Sequence, residues 1–200
     1  MMNRYADVTP EGQFQSEVKR VPQRFFKVTE RLLSGRICIA ALANGASRAC
    51  LYIAIKYAQQ RKSIGIDGKS TEPIFSYQLQ QNALMPLLAR TLALNIMYNR
   101  TRDIYKNPKG FEHELLSLCC ITKTMFGWSL MKTASVCRER CGGMGYLALS
   151  KFHDYIALAH AGVTAEGDNR VLMTKIVKDY QTNVQAKLFK VPEPQLNVQT

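Results

Sequence analysis

Apolar positions recur along most of this chain at helical rather than strand spacing. Between Thr29 and about Arg61, the residues Leu42, Ala46, Ala49, Ile53 and Tyr57 follow steps of four, three, four and four, the repeat of one helix face. Gly35, Ala40, Ala43, Gly45 and Ser47 in the same stretch are small, so a neighbouring helix can approach closely. Residues 63–76, SIGIDGKSTEPIFS, lose the period and carry glycines and a proline, which predicts a connection. A second helix is expected from about Tyr77 to Tyr105, with Pro86 as a candidate kink. It is apolar almost all round, through Leu84, Met85, Leu87, Leu88, Leu92 and Ile96, which predicts a central helix or one buried at a subunit interface.

A third helix, about 112–140, sets Leu118, Ile121, Met125 and Trp128 on one side and stops at Gly142-Gly143. A shorter helical stretch, about 151–161, leads through a turn at 162–169 into a last helix with Met173, Val177, Tyr180 and Val184 as its expected buried stripe. Ahead of all these, RYADVTPEGQFQ at 4–15 places a turn between two short alternating segments and predicts a hairpin. The fold class that follows is all-α: an antiparallel helical bundle with a short β-hairpin at the N-terminus.

Composition changes this picture little. In 200 residues, 46% are hydrophobic, enough for a real core. The net charge of +12 favours polyanionic partners, yet no run of Lys and Arg exceeds two. A solvated basic surface therefore accounts for the charge, and no nucleic-acid partner is expected. The first residues lack the charged-then-apolar layout of a signal peptide. The apolar stretch Leu84–Met97 holds Pro86, Arg90 and Asn95 and falls short of a spanning length, so no membrane span is expected.

The six cysteines have neither a CxxC pair nor the spacing of a disulfide framework. Cys137 and Cys141 lie four apart and His153 and His160 seven apart, but neither pair has a matching set of ligands, so no metal site is expected.

Candidate chemistry gathers in three segments at helix ends: QQRKSIG at 59–65, CGGMGY at 141–146 and TAEGDN at 164–169. Glycines bring backbone N–H groups close to a phosphate, and helix N-termini favour anions, so these ends could receive a phosphorylated ligand; GGxG is equally a helix C-cap and turn. Glu166 lies just ahead of a helix. It reads either as a carboxylate complementing the helix dipole or as a general base held on a turn, and spacing does not choose between them.

Taken together and in order, MMNRYADVTPEGQF, YAQQRKSIG, CRERCGGMGY and TAEGDNRVL resemble the flavin-containing acyl-CoA oxidases, relatives of the acyl-CoA dehydrogenases. The resemblance runs over nearly the whole chain apart from its last dozen residues. It implies a helical bundle of that superfamily's C-terminal-domain type, with residues 1–27 as the end of a truncated β-domain, 28–188 as the bundle and 189–200 as a tail. It also implies that the sequence is a fragment, because family members carry further helical and β-domains.

By the same resemblance Glu166 is the catalytic base, and Arg61 is the arginine that contacts the diphosphate of FAD. Ser63 and Gln78 match further flavin contacts, Gly142 and Gly143 the paired glycines against the cofactor, and Asp168 and Asn169 the positions beside its adenine end. The flavin sites would be shared across a homodimer, the substrate would be an acyl-CoA, and the compartment the peroxisome of fatty-acid β-oxidation; the final Asn-Val-Gln-Thr is no Ser-Lys-Leu address. Two residues depart from the family's habit: Ala165 where an aromatic residue commonly precedes the base, and Met144 where a histidine commonly stands in the glycine motif. An acyl-CoA dehydrogenase and a non-catalytic helical interaction module are the alternatives.

Overall fold

The computed structural model describes residues 6–29, 31–111 and 114–185. The first two residues of the expected hairpin segment, the end of the expected bundle beyond 185 and the expected tail at 189–200 lie outside them. The hairpin is short: β1 (Asp7–Val8) pairs antiparallel with β2 (Phe14–Gln15), Asp7 opposite Gln15 and Val8 opposite Phe14. Between them Gly12 adopts φ +78° and its N–H donates to Thr9 O, a turn that glycine enters without a Cβ penalty.

A helix that apolar spacing does not announce follows, α1 (Val21–Thr29). Pro22 falls in its first turn, where a missing N–H costs nothing. Arg24 ties it to the hairpin, donating to Val18 O at 3.0 Å with its guanidinium 4.9 Å over the Phe14 ring.

The bundle begins with α2 (Leu32–Gln60). The expected plain connection contains a second hairpin, β3 (Lys62–Ser63) with β4 (Glu72–Pro73), and a 3-10 turn at Ile74–Ser76. Two-residue strands leave no alternation long enough to read from sequence. Then come α3 (Gln78–Lys106), α4 (Leu115–Arg140), α5 (Gly142–Tyr146), a 3-10 turn (Ala148–Ser150), α6 (Phe152–Thr164) and α7 (Asn169–Gln185).

The central helix is α4, which packs on α2, α3, α6 and α7, rather than the more apolar α3. Leu79, Leu92 and Ile96 of α3 are exposed. What admits α4 to the centre is small size. Its buried residues include Cys119, Thr122, Ser129, Thr133, Ala134 and Cys137, and α2 brings a face made of Ala40, Ala43, Ser47, Cys50, Ala54 and Ala58. Leu118, Ile121, Met125 and Trp128 are only half-buried, and Leu42 is exposed, so the expected stripes lie beside the true ones. On α7 the buried residues are Asn169, Leu172 and Ile176, whereas Val177 and Tyr180 are exposed.

Larger side chains fill the space between helices. Leu51, Leu84, Phe126, Leu130 and Phe152 are at most 2% exposed, each burial stabilising the fold by about 1.5–3 kcal/mol. The polar groups inside are partly paired, with Asn44 Nδ2 donating to Asn95 Oδ1 at 2.7 Å and the Thr101 and Thr122 hydroxyls 2.9 Å apart. Among the described residues, α2 and not Leu84–Met97 is the helix long and apolar enough to cross a membrane, and half of its most apolar window is buried in the bundle.

Candidate active site and cofactor-contact ends

Two helices in succession lie antiparallel along α4. Gly162 near the end of α6 faces Gly127, and Leu172 and Ile176 of α7 pack beside Cys120, one turn or more further back along α4. The break between them, residues 165–168, carries Glu166. Two non-glycine residues among those described have positive φ, Lys151 and Glu166; Glu166 sits at φ +57°, followed by Gly167 at +107°. Holding an L-residue in the left-handed region costs about 1–2 kcal/mol, so something must hold it there.

The holding contacts come from beneath and beside the turn. Lys123 of α4 is fully buried, and its Nζ donates to Val163 O at 3.0 Å, Gly167 O at 2.6 Å and Asn169 Oδ1 at 2.8 Å. Its three N–H groups are thus all used, and Val163 O is one of the carbonyls that the end of α6 leaves without a helical donor. Burial pushes the ammonium below the usual lysine range, with the Asp168 carboxylate acting in the opposite direction. Asn169, also fully buried, donates from Nδ2 to Thr124 O at 3.2 Å. From α2, Arg36 Nε donates to Glu166 O at 3.3 Å.

The Glu166 carboxylate itself lies over Gly35 of α2. A Cβ added at Gly35 would fall 2.5 Å from Oε1 and 2.7 Å from Oε2, so glycine here is what leaves room for the acid. Glu166 is exposed. Asp168 caps α7, its Oδ1 accepting from Arg170 N at 2.9 Å and Val171 N at 3.2 Å, a role worth about 1 kcal/mol. The amide of Asn169, a residue expected beside the cofactor, is spent inside the protein on Lys123 and Thr124, so its side chain supports the turn.

The other candidate residues gather at the opposite end. Arg61 ends α2, its N–H donating to Tyr57 O and its carbonyl accepting from Ile74 N, both at 2.8 Å, while its side chain is exposed. Ser63 stands in β3 opposite Glu72, and Gln78 opens α3, exposed. Gln80 Nε2 reaches Arg140 O at 3.1 Å, which brings the start of α3 to the end of α4 and thus to Gly142 and Gly143. Both glycines are exposed, Gly142 with φ +57°, and a Cβ at either would meet nothing within 4 Å.

The structure therefore splits the sequence-derived set in two. Gly35, under Glu166, lies in the first turns of α2 and Arg61 just past its end, 26 residues on, roughly 39 Å at 1.5 Å per residue. Arg61, Ser63, Gln78, Gly142 and Gly143 form one end; Glu166, Asp168 and Asn169 form the other. Sequence spacing missed Gly35, Arg36 and Lys123. A signal existed for Lys123, the only charged residue between Leu115 and Met131.

The sequence profile of the family "Acyl-CoA oxidase, C-alpha1 domain" matches residues 30–180. Peroxisomal acyl-coenzyme A oxidase 2 of Arabidopsis thaliana is 32% identical over 184 residues, which cover 90% of this chain and 27% of that protein. Human peroxisomal acyl-coenzyme A oxidase 3 is 31% identical over 186 residues, covering 86% of this chain and 27% of its own length. The chain thus spans about a quarter of the length of these relatives. In fold, it superimposes on the crystal structure of a tomato acyl-CoA oxidase with a TM-score of 0.78 at 24% identity, over 92% of this chain and 29% of that one. With the profile match running from the start of α2 into α7, through the Gly142-Gly143 end and the Glu166 turn alike, this chain belongs to the acyl-CoA oxidase family.

Proposed function

We propose that this chain forms the helical part of an FAD-dependent oxidase that converts an acyl-CoA and oxygen to a trans-2-enoyl-CoA and hydrogen peroxide, the first oxidation of peroxisomal fatty-acid β-oxidation. The observation that carries the proposal is the Glu166 turn. A carboxylate is lifted into solvent on a left-handed residue, over a glycine, with its backbone secured by Arg36 and by a buried lysine. Such a turn costs free energy that a simple helix cap does not require, since Asp168 already caps α7.

In this reading Glu166 accepts the α-proton of the thioester, whose carbonyl takes up the developing charge. Arg61 offers a permanent cation to the cofactor diphosphate, with Ser63 and Gln78 as hydrogen-bonding neighbours, and Asp168 stands at the other end beside the adenine. Gly142 and Gly143 fit a cofactor on the same grounds, for their backbone is open to close approach, and buried Arg140 Nε, two residues before Gly142, has no partner among the described residues. Bound FAD would supply the acceptor for the β-hydrogen and the route of electrons to oxygen.

The separation of the two ends supports a homodimer. One cofactor cannot span roughly 39 Å of helix and both helix-end clusters of one copy, so each site would take the Glu166 end of one chain and the Arg61 end of its partner. Exposed Tyr146, Leu147 and Leu149 beside the glycines give that end an apolar surface for a partner to cover. Residues 28–188 would then be the unit that bears both cofactor contacts and base.

The test is made on the oxidase carrying this segment. Glu166→Gln should abolish acyl-CoA-dependent peroxide while flavin absorbance remains, and full activity in that variant refutes the assigned base. Oxygen consumption without an added electron acceptor separates oxidase from dehydrogenase chemistry. Failure to bind FAD, together with salt-sensitive binding to anionic lipid or nucleic acid, would instead mark a helical interaction module.

A further inference from the structure

We infer that Lys123 is the positioning residue of the Glu166 turn, a buried cation that takes the place of the backbone donors lost where α6 breaks from α7. The inference rests on the reading of Glu166 as the base and adds the residue that places it. At a helix break, carbonyls at the end of the first helix and in the turn lose their N–H partners, and inside a protein an unpaired carbonyl is costly. Here a side chain from a third helix supplies them. The Lys123 ammonium satisfies Val163 O on the near side of Glu166 and both Gly167 O and Asn169 Oδ1 on the far side, bridging the break with one atom.

Glu166 lies between these anchors, and both the path of its backbone and the direction of its side chain follow from them. A cation also suits the negative end of the α6 dipole. Neutral acceptors surround the ammonium at hydrogen-bonding distance, and the carboxylates of Asp168 and Glu166 act on it from further off, as does the Arg36 guanidinium with the opposite sign. Burying an ammonium costs several kcal/mol, and a lysine used only to fill space would be replaced at no loss by methionine. The complete use of its three donors on one turn is what distinguishes a positioning role from packing.

Amide hydrogen exchange on the full chain tests this, over peptides covering residues 163–169 and, as an internal reference, residues 40–58 of α2. Lys123→Met keeps the volume of the stem and removes the donors. The expected result is exchange about tenfold faster in the turn with α2 unchanged, the loss of at least one charge-assisted hydrogen bond. Unchanged exchange in the turn, or an equal rise in α2, overturns the inference. If the variant does not fold, the native protein answers alone: Lys123 should give a slowly exchanging ammonium 15N resonance with couplings across hydrogen bonds to the carbonyl carbons of Val163 and Gly167. A rapidly exchanging ammonium lacking those couplings overturns it equally. In the FAD-loaded oxidase Lys123→Met should lower kcat with KM unchanged, whereas an equal loss through KM points to packing alone. Glu166→Gln run in parallel keeps the two claims apart, because full activity there removes the base and leaves the exchange result to decide what Lys123 holds.

Discussion

Replacing Gly35 by alanine should raise stability and lower activity, two effects that normally move together in a core substitution. Gly35 is half-buried in the first turns of α2, and alanine is favoured over glycine inside a helix by about 1 kcal/mol. The added methyl would fall 2.5–2.7 Å from both oxygens of Glu166. Those oxygens are the far end of a flexible, exposed side chain, so the acid yields and the helix does not. Ordinary contact lies near 3.5 Å, so the carboxylate withdraws by about 1 Å. The net gain should be about 0.5–1 kcal/mol, which raises Tm by about 1–4 °C for a domain of this size. Displacing a catalytic group by about 1 Å can cost about a hundredfold in rate. Thermal unfolding followed by circular dichroism and peroxide release by the assembled oxidase measure the two effects. A fall in Tm would show that the carboxylate is not free to move, and unchanged turnover would show that its position over Gly35 does not matter to the chemistry.

Gly145 gives the opposite outcome from the same substitution. A Cβ there would collide with the backbone carbonyl of Arg138, which cannot swing aside, so Gly145→Ala should destabilise by about 2–3 kcal/mol in thermal or urea unfolding; a neutral result would contradict the packing of α5 under the end of α4. The buried thiols predict an alkaline limit. Burial pushes Cys50 and Cys119 up to about 12 and Cys141 to about 11, and raises Cys120 and Cys137 as well, while exposed Cys38 is the one free to react. Above about pH 9 the unfolded chain sheds these protons and the folded chain keeps them, so stability present below pH 9 is lost as pH rises toward 12, with Lys123 opposing in part. A disulfide reagent at pH 8 should titrate one thiol in the native protein and six after denaturation; rapid reaction of more than one in the native state refutes the burial.

The existence of the long helices was legible in the sequence and their orientation was not. The spans of α2, α3 and α4 follow from long periodic segments ended by Arg61, Asn107 and Gly142. The buried faces of α2 and α4 escaped because they are built from Ala, Ser, Thr, Cys and Gly, which a search for Leu, Ile and Met passes over, and α3 looked central because its outer face is apolar too. At the site, the motifs marked Arg61, Gly142-Gly143 and Glu166, but a one-dimensional pattern contains no hint that they sit at opposite ends. Nor could it show that Asn169, three residues from an exposed acid, turns inward to meet a lysine 46 positions earlier.

The seam between α2 and α4 reverses the usual direction of mutational risk. Most cores fail by truncation, when a large side chain is cut back and a cavity remains. Here Ala40, Ala43, Ala54 and Ala58 on one helix and Ala134 on the other have almost nothing left to lose. Damage must come from growth: a single added methyl or branch pushes two long helices apart along their length, and with them the two ends that the helices hold at a fixed span. Sequence drift along this seam should therefore be confined to exchanges among the smallest residues, a restriction imposed by distance rather than by chemistry.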